Sequence, residues 1–473
     1  MKILLINPPC GSRTIGLKNI ARIEPLGLEL VGAGVSRDHD VVLVDMEVAP
    51  DDLAATLRTF VPDVVGVTSE IVHVETALAA LRQARTAAPG CLTVVGGHHP
   101  TLCPEDFHDP VVDLIVIGEG IEAFAEICAA RARGDDYAGI RGLVRRTAEG
   151  FERTMPRPLP LDLNAQPKPD RSLTARYRHL YYYLFEDSVA AVRTSAGCSF
   201  PCVFCSCRVY SQGAFIPRSP ELVFEEIAAL DEEFVMFCDD HSFHDPERMR
   251  RLAQMLIDAG IRKRYFAYAR ADSIVADRDV FALWAKAGLF LVMTGLESLQ
   301  TDRLKKIGKQ VDLDMNERAI GVLNELGINM SAGFLVEPEF TSGDFDRIDR
   351  FVDEHRSILL VEFTPMTPFP GTALYRKTKS QLLTHDRQVY DLQHFLLPTK
   401  LPPRELYRLM MKSYGKVVWR VIRRLKLWHP RVLFSRRMLR VMAGLARNQR
   451  LLWSAHEHVP AAPLLPAGPG RPG

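Results

Sequence analysis

Two long stretches of this chain alternate short apolar runs with amphipathic helical patterns, and this alternation leaves few folds open. In residues 1–135 the apolar runs are KILLIN, DVVLVDM, VVGVTS, LTVVGG and VDLIVIGEG, with helical segments between them. Short runs buried on both faces and separated by helices are typical of a parallel sheet covered by helices. The pattern predicts an α/β, doubly wound (Rossmann-like) domain that binds ligands at the carboxyl ends of its strands.

Residues 188–372 repeat the alternation with six strand candidates. These are SVAAVRTSAG, EFVMFCDD, RYFAYARAD, LFLVMTGLES, INMSAGFLVE and ILLVEFTPMTP. Gly260, Gly288 and Gly327 each end a helical pattern just before a strand, as C-terminal caps do. Six such units predict a partial (β/α)6 TIM-like barrel with its chemistry at the carboxyl ends of the strands.

The rest of the chain has a different composition. Residues 136–187 combine a hairpin pattern, GLVRRTAEGFERT, with the Pro-rich PRPLPLDLNAQPKPD, which predicts an extended linker. Residues 373–459 predict a helical, basic C-terminal region, since 14 Lys and Arg residues and one acid lie between Arg404 and Arg450. Residues 460–473 are predicted to form a disordered tail.

The overall composition excludes several classes of protein. The 473 residues are 47% hydrophobic and 25% charged, with a net charge of +1, which is ordinary for a globular chain. No apolar run approaches the roughly 18 residues of a transmembrane helix, and the start lacks the long apolar stretch of a signal peptide. We therefore expect a cytoplasmic protein whose nine cysteines stay reduced and are metal-ligand candidates before they are disulfides.

A cysteine-rich loop follows the first strand of the predicted barrel. The sequence RTSAGCSFPCVFCSCR places Cys198, Cys202 and Cys205 in C-x3-C-x2-C spacing. Three thiolates on one loop can hold three irons of a 4Fe–4S cluster and leave the fourth iron open to another ligand. The alternative is a structural zinc site, which normally takes four ligands in two separated pairs. Because C-x-C is poor zinc spacing, we interpret Cys207 as a thiol outside the ligand set.

This loop resembles the C-x3-C-x-aromatic-C signature of the radical S-adenosylmethionine (SAM) superfamily, and the resemblance covers residues 188–372. It implies that SAM chelates the open iron and that an electron from the cluster cleaves SAM into methionine and a 5′-deoxyadenosyl radical. It also implies that strand-end polar residues hold SAM, with salt bridges at the barrel mouth as the alternative role. The candidates around the cluster and SAM are Phe204, Asp239, Asp240, Arg270, Asp272, Glu297 and Ser298.

The N-terminal domain resembles cobalamin-binding domains through PLGLEL (25–30), VVGGHHPT (94–101) and VIGEGIEAF (116–124). Glycines at strand ends allow the close approach of a large flat cofactor, although any doubly wound fold uses them. A nucleotide-binding domain is disfavoured because no G-x-G-x-x-G follows the first strand. The predicted cobalamin contacts are Thr68, Ser69, Gly96, Gly97, His98, Gly118, Glu119 and Gly120.

One departure concerns the cobalt ligand. Cobalamin domains of another class carry D-x-H-x-x-G, whose histidine binds cobalt from below. Here the corresponding loop after the second strand reads DMEVAP (45–50), so no histidine ligand is expected from it. His98 and His99 lie on a different loop, where they are either cofactor-pocket or solvent-facing residues.

A closer resemblance is to the hopanoid C-3 methylases, over most of the first 400 residues, through stretches such as RIEPLGLEL, FCDDHSFHDPERM, FLVEPEF and FLLPTKLP. It implies that the radical abstracts hydrogen from an inert carbon and that methylcobalamin donates a methyl group to C-3 of a polycyclic lipid. It also implies an electron donor such as a flavodoxin or ferredoxin.

Three other functions stay open. Cobalamin-dependent methylases or cyclases of the same branch act on secondary metabolites. A tRNA methylthiotransferase is less favoured. Such an enzyme needs three cysteines for a second cluster, and only Cys10 is well placed among the candidates Cys10, Cys91, Cys103 and Cys128. A non-catalytic cobalamin sensor has no use for an open iron.

Residues 406–428 combine Leu, Met, Val and Trp with Lys and Arg at helical intervals. A basic amphipathic helix can lie on an anionic bilayer, which suits a lipid substrate and predicts peripheral contact with the inner face of the membrane. Packing of this helix on the barrel and RNA binding are the alternatives, and nucleic acid is the least expected partner.

Overall fold

The computed structural model of the protein describes residues 1–17, 19–158, 161–424, 435–461 and 464–465. The chain divides into two compact units. The first comprises Met1–Thr14 and Arg22–Tyr182, and the second comprises Ile15–Ala21 and the chain from Tyr183 onward. Most of the predicted disordered tail lies outside the described residues.

The first unit is built on a seven-stranded sheet. Its strands are β1 (Lys2–Asn7), β2 (Asp40–Asp45), β3 (Val64–Thr68), β4 (Leu92–Gly96), β5 (Leu114–Val116), β6 (Leu143–Thr147) and β7 (Gly150–Arg153). The order is β2-β1-β3-β4-β5-β6-β7, and the first five strands are parallel. Because chain order reverses between β1 and β3, the ligand-binding crevice of such a sheet is expected at their carboxyl ends.

Helices cover both faces of this sheet, as predicted. They are α1 (Leu26–Ala33), α2 (Asp52–Thr59), α3 (Val74–Ala87), α4 (His98–Leu102) and α5 (Gly120–Arg133), with 3-10 turns at Ile71–His73, Pro104–Phe107 and Arg171–Leu180. Leu28 of α1 and Phe124 of α5 pack into one apolar cluster, whereas Leu53 of α2 and Leu81 of α3 pack into another. The doubly wound prediction is therefore confirmed.

Residues 136–182 belong to the first unit rather than lying between two domains. The predicted hairpin is present as β6 and β7, which extend the sheet as an antiparallel edge. The chain beyond the Pro-rich stretch is fixed by two buried tyrosines. The Tyr177 hydroxyl donates to Asp52 at 2.7 Å, and the Tyr181 hydroxyl donates to Asp45 at 2.9 Å. These contacts explain why this segment is structured.

The second unit contains a six-stranded, wholly parallel sheet whose strands follow one another in chain order. They are β8 (Val189–Val192), β9 (Phe234–Phe237), β10 (Arg264–Tyr268), β11 (Leu289–Glu297), β12 (Asn329–Val336) and β13 (Ile358–Pro365). The remaining strands are short: Ala21–Arg22, Tyr182–Tyr183, Glu186–Asp187, Ser195–Ala196 and Ile216–Pro217. The partial barrel prediction is confirmed.

Helices follow the barrel strands and complete the second unit. They are α6 (Ser206–Tyr210), α7 (Pro220–Ala228), α8 (Pro246–Asp258), α9 (Ala271–Ala276), α10 (Arg278–Ala287), α11 (Thr301–Lys306), α12 (Leu313–Glu325), α13 (Ser342–Glu354), α14 (Ala373–Thr378), α15 (Pro403–Arg424) and α16 (Arg436–Ser454). Short 3-10 turns lie at Lys379–Gln381, Arg387–Val389 and Ala455–Glu457. The core contains Trp284, whose indole N–H donates to the Met249 carbonyl at 2.9 Å.

The basic helix α15 packs on the barrel. Its apolar side chains Leu406, Met410 and Val417 are buried in the core of the second unit. On the other side, Lys416 pairs with Asp349 of α13 at 2.5 Å, and Arg420 pairs with Asp353 of the same helix. The packing interpretation is thus confirmed for the described part of this segment, and residues 425–434 lie outside it. None of the described helices is long and apolar enough to cross a membrane.

Candidate active site

The cysteine-rich loop leaves β8 and reaches α6 at the carboxyl end of the barrel. Gly197 at its start has a φ of +80°, and a Cβ there would lie 2.1 Å from the Ala214 carbonyl oxygen, so only glycine fits. The Gly197 N–H donates to Asp240 Oδ2 at 2.8 Å. At the other end, the Val203 N–H donates to the Ile307 carbonyl at 3.0 Å. The loop geometry is therefore set by contacts with several barrel segments.

The three predicted ligand thiols are half-buried on this loop. Burial raises the pKa of Cys198 and Cys202, although nearby Lys309 and Arg270 act in the opposite direction on Cys202. The pKa of Cys205 is lowered to about 7, chiefly because Cys207 hydrogen-bonds to its sulfur. Cys207 is therefore in contact with the ligand set, and the apoprotein favours the thiolate at one of the three positions.

The donor set fits a multi-iron cluster better than a single ion. A zinc ion holds its sulfurs at about 2.3 Å, which brings them close to one another. Among the described residues, the group whose three ligand atoms all lie within 4.8 Å of one another is Cys10, Glu47 and His73. The sulfurs of the three loop cysteines do not meet this criterion. Three thiols on one loop that are spaced more widely than this suit an iron–sulfur cluster.

The aromatic residues of the loop have separate roles. Phe204 is partly buried and packs against the small apolar cluster of Leu304, Ile307 and Leu335, as expected for a side chain that excludes water. Phe200 lies under the Arg270 guanidinium, whose carbon is 3.6 Å from the ring centroid. This cation–π contact, which the sequence did not indicate, holds a positive charge beside the thiols.

Four of the SAM candidates form ion pairs or hydrogen bonds at the barrel mouth. Arg270 donates to both carboxylate oxygens of Asp272, at 3.0 and 2.9 Å. Glu297, with a φ of +62°, accepts a hydrogen bond from Lys309 Nζ at 2.8 Å, and both side chains are buried. Ser298 Oγ accepts from the Gln300 N–H at 3.2 Å. These residues surround the cluster loop, and their assignment to SAM stays a prediction.

Asp239 has a different environment from the other candidates. It is buried, and its carboxylate accepts hydrogen bonds from the Thr194 N–H at 2.7 Å, the Ser195 N–H at 2.9 Å and the Thr194 hydroxyl at 2.7 Å. Burial raises the pKa of Asp239. Since these bonds tie β9 to the start of the cysteine loop, they support a role in positioning the loop.

A buried histidine that the sequence analysis did not select lies next to this loop. His241 is 2% exposed, its Nε2 is 3.2 Å from Ser273 Oγ, and its Nδ1 has no hydrogen-bond partner among the described residues. Its ring contacts Phe200 edge to face, with centroids 5.8 Å apart. Burial lowers the pKa of His241 to about 3, so the ring is neutral at physiological pH. Its position in the run CDDHSFHD, directly after a strand, was the available signal.

In the first unit, the predicted cobalamin contacts meet at one edge of the sheet. Thr68 and Ser69, Gly96 and Gly97, and Gly118 to Gly120 follow the neighbouring strands β3, β4 and β5. Gly97 has a φ of +113°, and a Cβ there would lie 2.8 Å from Thr68 Oγ1 and 3.0 Å from the Ser69 backbone. Gly118, with a φ of +87°, faces open space. These glycines of three neighbouring strands form what we call the glycine cradle, and each of its contacts with a cofactor stays a prediction.

The two adjacent histidines at this edge differ from each other. His98 is partly exposed, with Nδ1 3.5 Å from a Glu70 carboxylate oxygen, so it remains a candidate contact. His99 is 2% exposed and bonds to Asp106 at 2.8 Å. The solvent-facing alternative is therefore wrong for His99, and its bond to Asp106 helps to fix the loop.

A further group of side chains at the switch point was not predicted as a unit. Cys10 Sγ lies 3.3 Å from His73 Nε2, which is 3.5 Å from Glu47 Oε1. Burial acts to raise the pKa of Glu47, but hydrogen bonds from His73 and Cys10 together have the larger effect. The pKa of Glu47 is therefore lower than its ordinary value. These residues follow β1, β2 and the turn after β3, and only the fold shows that they meet.

Comparison with known proteins matches a part of each unit to a known family. Residues 14–128 match the family described as the B12 binding domain, and residues 192–352 match the radical SAM superfamily. The radical SAM methyltransferase TsrM from Kitasatospora setae, solved with cobalamin and a 4Fe–4S cluster bound, is 19% identical. It superimposes with a TM-score of 0.64 and covers 80% of this chain and 78% of its own, which shows a shared fold.

The chain therefore belongs to the cobalamin-dependent radical SAM methyltransferases, and its cofactors are a 4Fe–4S cluster, SAM and cobalamin. Within that class it is 30% identical over 419 residues to the hopanoid C-3 methylase of Methylococcus capsulatus, which covers 87% of this chain and 79% of the relative. It is also 24% identical over 390 residues to the anaerobic magnesium-protoporphyrin IX monomethyl ester cyclase of Rubrivivax gelatinosus, covering 80% of this chain and 70% of the relative.

Proposed function

We propose that this enzyme methylates an unactivated carbon of a hopanoid lipid, at C-3 of ring A. The observation that carries the proposal is the 30% identity to the Methylococcus hopanoid C-3 methylase, which extends over both units rather than over the cluster loop alone. A cluster loop by itself supports many chemistries, so the substrate assignment needs this longer similarity.

The cofactors supply a carbon-centred oxidant and a methyl donor, and the protein's own residues position them. Cys198, Cys202 and Cys205 are proposed to ligate three irons. Arg270 and Lys309, each paired with a carboxylate, act to lower the pKa of Cys202 and so favour its thiolate form. Phe204 packs against Leu304, Ile307 and Leu335 and is proposed to shield the cluster from water.

The glycine cradle of the first unit is proposed to hold cobalamin. Gly118 faces open space and is proposed to let the backbone approach the ligand, whereas Gly97 lets β4 pack closely against Thr68 and Ser69. Thr68 and His98 are the polar side chains proposed for its rim. The loop after β2 carries Glu47 and no histidine, so no histidine ligand to cobalt is proposed from it.

One experiment tests the substrate directly. The gene is deleted in its host, and lipid extracts of the deletion and parent strains are compared by mass spectrometry. Loss of a lipid that is heavier than its hopanoid parent by one methylene supports the proposal. The matched control restores the gene with Cys202→Ala, which is expected to leave the lipid absent. An unchanged lipid profile contradicts the hopanoid assignment.

A second substrate class is methylation or cyclisation of a different polycyclic or secondary metabolite. The 24% identity to the Rubrivivax cyclase favours it, because a magnesium porphyrin is also a large ring system. The same deletion experiment separates the two substrate classes. If the second class is the substrate, the deletion changes the pigment or secondary-metabolite profile and leaves the hopanoid profile unchanged.

We also propose an external electron donor such as a flavodoxin or ferredoxin, and peripheral contact with an anionic membrane. The apolar Leu439 and Trp453 of α16 are exposed beside the exposed basic side chains of Arg447 and Arg450, a combination that binds anionic bilayers. The protein is expected to sediment with phosphatidylglycerol vesicles at low salt and to be released at high salt. Absence of sedimentation at every salt concentration contradicts the membrane contact.

A further inference from the structure

An apolar cavity of about 220 Å³ lies in the second unit beside the free edge of β13. The barrel sheet begins at β8 and ends at β13, and these two edge strands do not pair with each other. The cavity is walled by β13, by residues 16–21 and by the helices α15 and α16. It therefore occupies the side of the barrel where a closed eight-stranded barrel has further strands.

Most of the described side chains that line the cavity are aliphatic or aromatic. The polar ones are Glu362, Thr364, Asp391, Gln393, Asn448 and Gln449. Asp391 accepts hydrogen bonds from the backbone N–H groups of Ile15 at 2.6 Å and Gly16 at 3.3 Å. Asn448 accepts one from Asn19 Nδ2 at 2.8 Å. These two polar residues thus hold the wall in place and leave the interior mainly apolar.

The wall formed by residues 16–21 is closely fitted to α16. A Cβ at Gly444 would lie 2.0 Å from the Asn19 carbonyl oxygen, so the approach of the two segments requires glycine at this position. Glycine in the interior of a helix costs about 1 kcal/mol relative to alanine, so it needs a packing reason. The cavity is therefore a built feature of the second unit rather than a gap between loosely packed helices.

One side of the cavity faces the interior of the barrel. Glu362 of β13 accepts a hydrogen bond from Ser331 Oγ of β12 at 3.0 Å, and burial raises its pKa.

The other side opens to the surface through apolar side chains. Leu17, Leu392 and Met442 all line the cavity, and they are 48%, 42% and 44% exposed. Exposed apolar groups that surround an apolar cavity mark an entrance for an apolar ligand.

We propose that this cavity binds the fused hydrocarbon rings of a polycyclic triterpenoid, with the end of the ring system toward Glu362 and the remainder in the mouth at Leu17 and Met442. A cavity of about 150 Å³ accommodates benzene, so about 220 Å³ fits a portion of about two fused rings and not the whole molecule. The proposal rests on the proposed function and deepens it, because it assigns the residues that recognise the substrate.

The test uses the reconstituted holoenzyme and hopene, a hopanoid hydrocarbon without a polar head group, in detergent micelles. Leu445→Trp adds an indole to the cavity wall contributed by α16. The matched control is Ala443→Trp, which adds the same indole at an exposed position of the same helix outside the cavity. Binding is measured as the amount of deuterated hopene that co-elutes with the protein over a concentration series.

Leu445→Trp is expected to weaken hopene binding at least tenfold, with cobalamin and iron contents unchanged, whereas Ala443→Trp binds hopene as the wild type does. If Leu445→Trp does not fold, Val418→Phe on the facing helix α15 replaces it, with the same expectation. Wild-type hopene affinity in the folded cavity variants overturns the proposal. Equal affinity for squalene, a linear hydrocarbon built from the same number of isoprene units, overturns the assignment to fused rings.

The outcomes separate this proposal from the proposed function. If the wild type binds hopene and the cavity variants do not, yet no hopanoid is methylated, the cavity assignment stands and the function fails. If hopanoids are methylated by the wild type and by the cavity variants with the same KM, the function stands and the cavity assignment fails.

Discussion

Removing Lys309 tests the electrostatic design of the barrel mouth. Lys309 Nζ lies 2.8 Å from Glu297 Oε1, and the two side chains are 9% and 11% exposed. At that distance the attraction between unit charges is about 6 kcal/mol for an effective dielectric constant of about 20, before the cost of dehydration is subtracted. Breaking a buried pair by removing one partner typically costs about 3–5 kcal/mol, because the other charge is left buried and unpaired.

We expect Lys309→Met to lower the free energy of unfolding of the second unit by about 3 kcal/mol or more. Glu297→Gln is expected to cost less, since the amide oxygen still accepts a hydrogen bond and the left-handed backbone at this residue is unchanged. The double variant carries neither charge, so it is expected to be more stable than Lys309→Met alone.

The assay is urea denaturation of the full-length apoprotein, monitored by tryptophan fluorescence. All four tryptophans lie in the second unit, at or after position 284, so the signal reports this unit alone. A loss below about 1 kcal/mol in Lys309→Met, as for an exposed ion pair, refutes the reasoning. A double variant no more stable than the single one refutes it as well.

Three other predictions follow from the described geometry. Gly97→Ala is expected to destabilise the first unit by about 1–3 kcal/mol and to reduce cobalamin retention, because Gly97 has a φ of +113° and no room for a Cβ. The control is Gly90→Ala, whose added Cβ meets no atom within 4 Å, and both variants are compared in parallel thermal melts. Because the pKa of His241 is about 3 when folded and about 6.5 when unfolded, the unfolded chain takes up the proton first as pH falls, and stability decreases through that interval. At about pH 5 the loss in the free energy of unfolding amounts to about 2 kcal/mol. If a His241→Gln variant loses the same free energy of unfolding between neutral pH and pH 5, the assignment to His241 is contradicted. Cys207→Ala removes the hydrogen bond to Cys205, so the pKa of Cys205 is expected to rise from about 7. The pH midpoint of Cys205 alkylation in the apoprotein measures this pKa. An unchanged midpoint argues against the contact between Cys205 and Cys207.

The elements that local pattern determines were predictable. Each barrel strand is a short apolar run bounded by a helix cap such as Gly288, whose left-handed φ of +113° only glycine adopts easily. The ligand cysteines lie within eight residues on one loop, so their spacing is visible in the sequence itself. The glycine cradle was predictable for the same reason, since it follows three recognisable strands.

Contacts between distant parts of the chain were not predictable. Residues 16–21 belong to the second unit because Asp391, 376 positions beyond Ile15, binds the backbone there. The Pro-rich segment appeared to be a linker, since nothing local shows that Tyr181 reaches Asp45. Likewise, no sequence motif indicates that Lys309 is the partner of Glu297, because the pair forms only where the folded chain brings Lys309 back to the barrel mouth.

The central claim is that three cysteines ligate the cluster and leave one iron open to SAM. The most direct measurement is 5′-deoxyadenosine release by anaerobically reconstituted, chemically reduced protein, quantified by mass spectrometry for the wild type and four alanine variants. We predict release by the wild type and by Cys207→Ala, and none by Cys198→Ala, Cys202→Ala or Cys205→Ala. Release by any of the last three, or none by an iron-loaded wild type, contradicts the account.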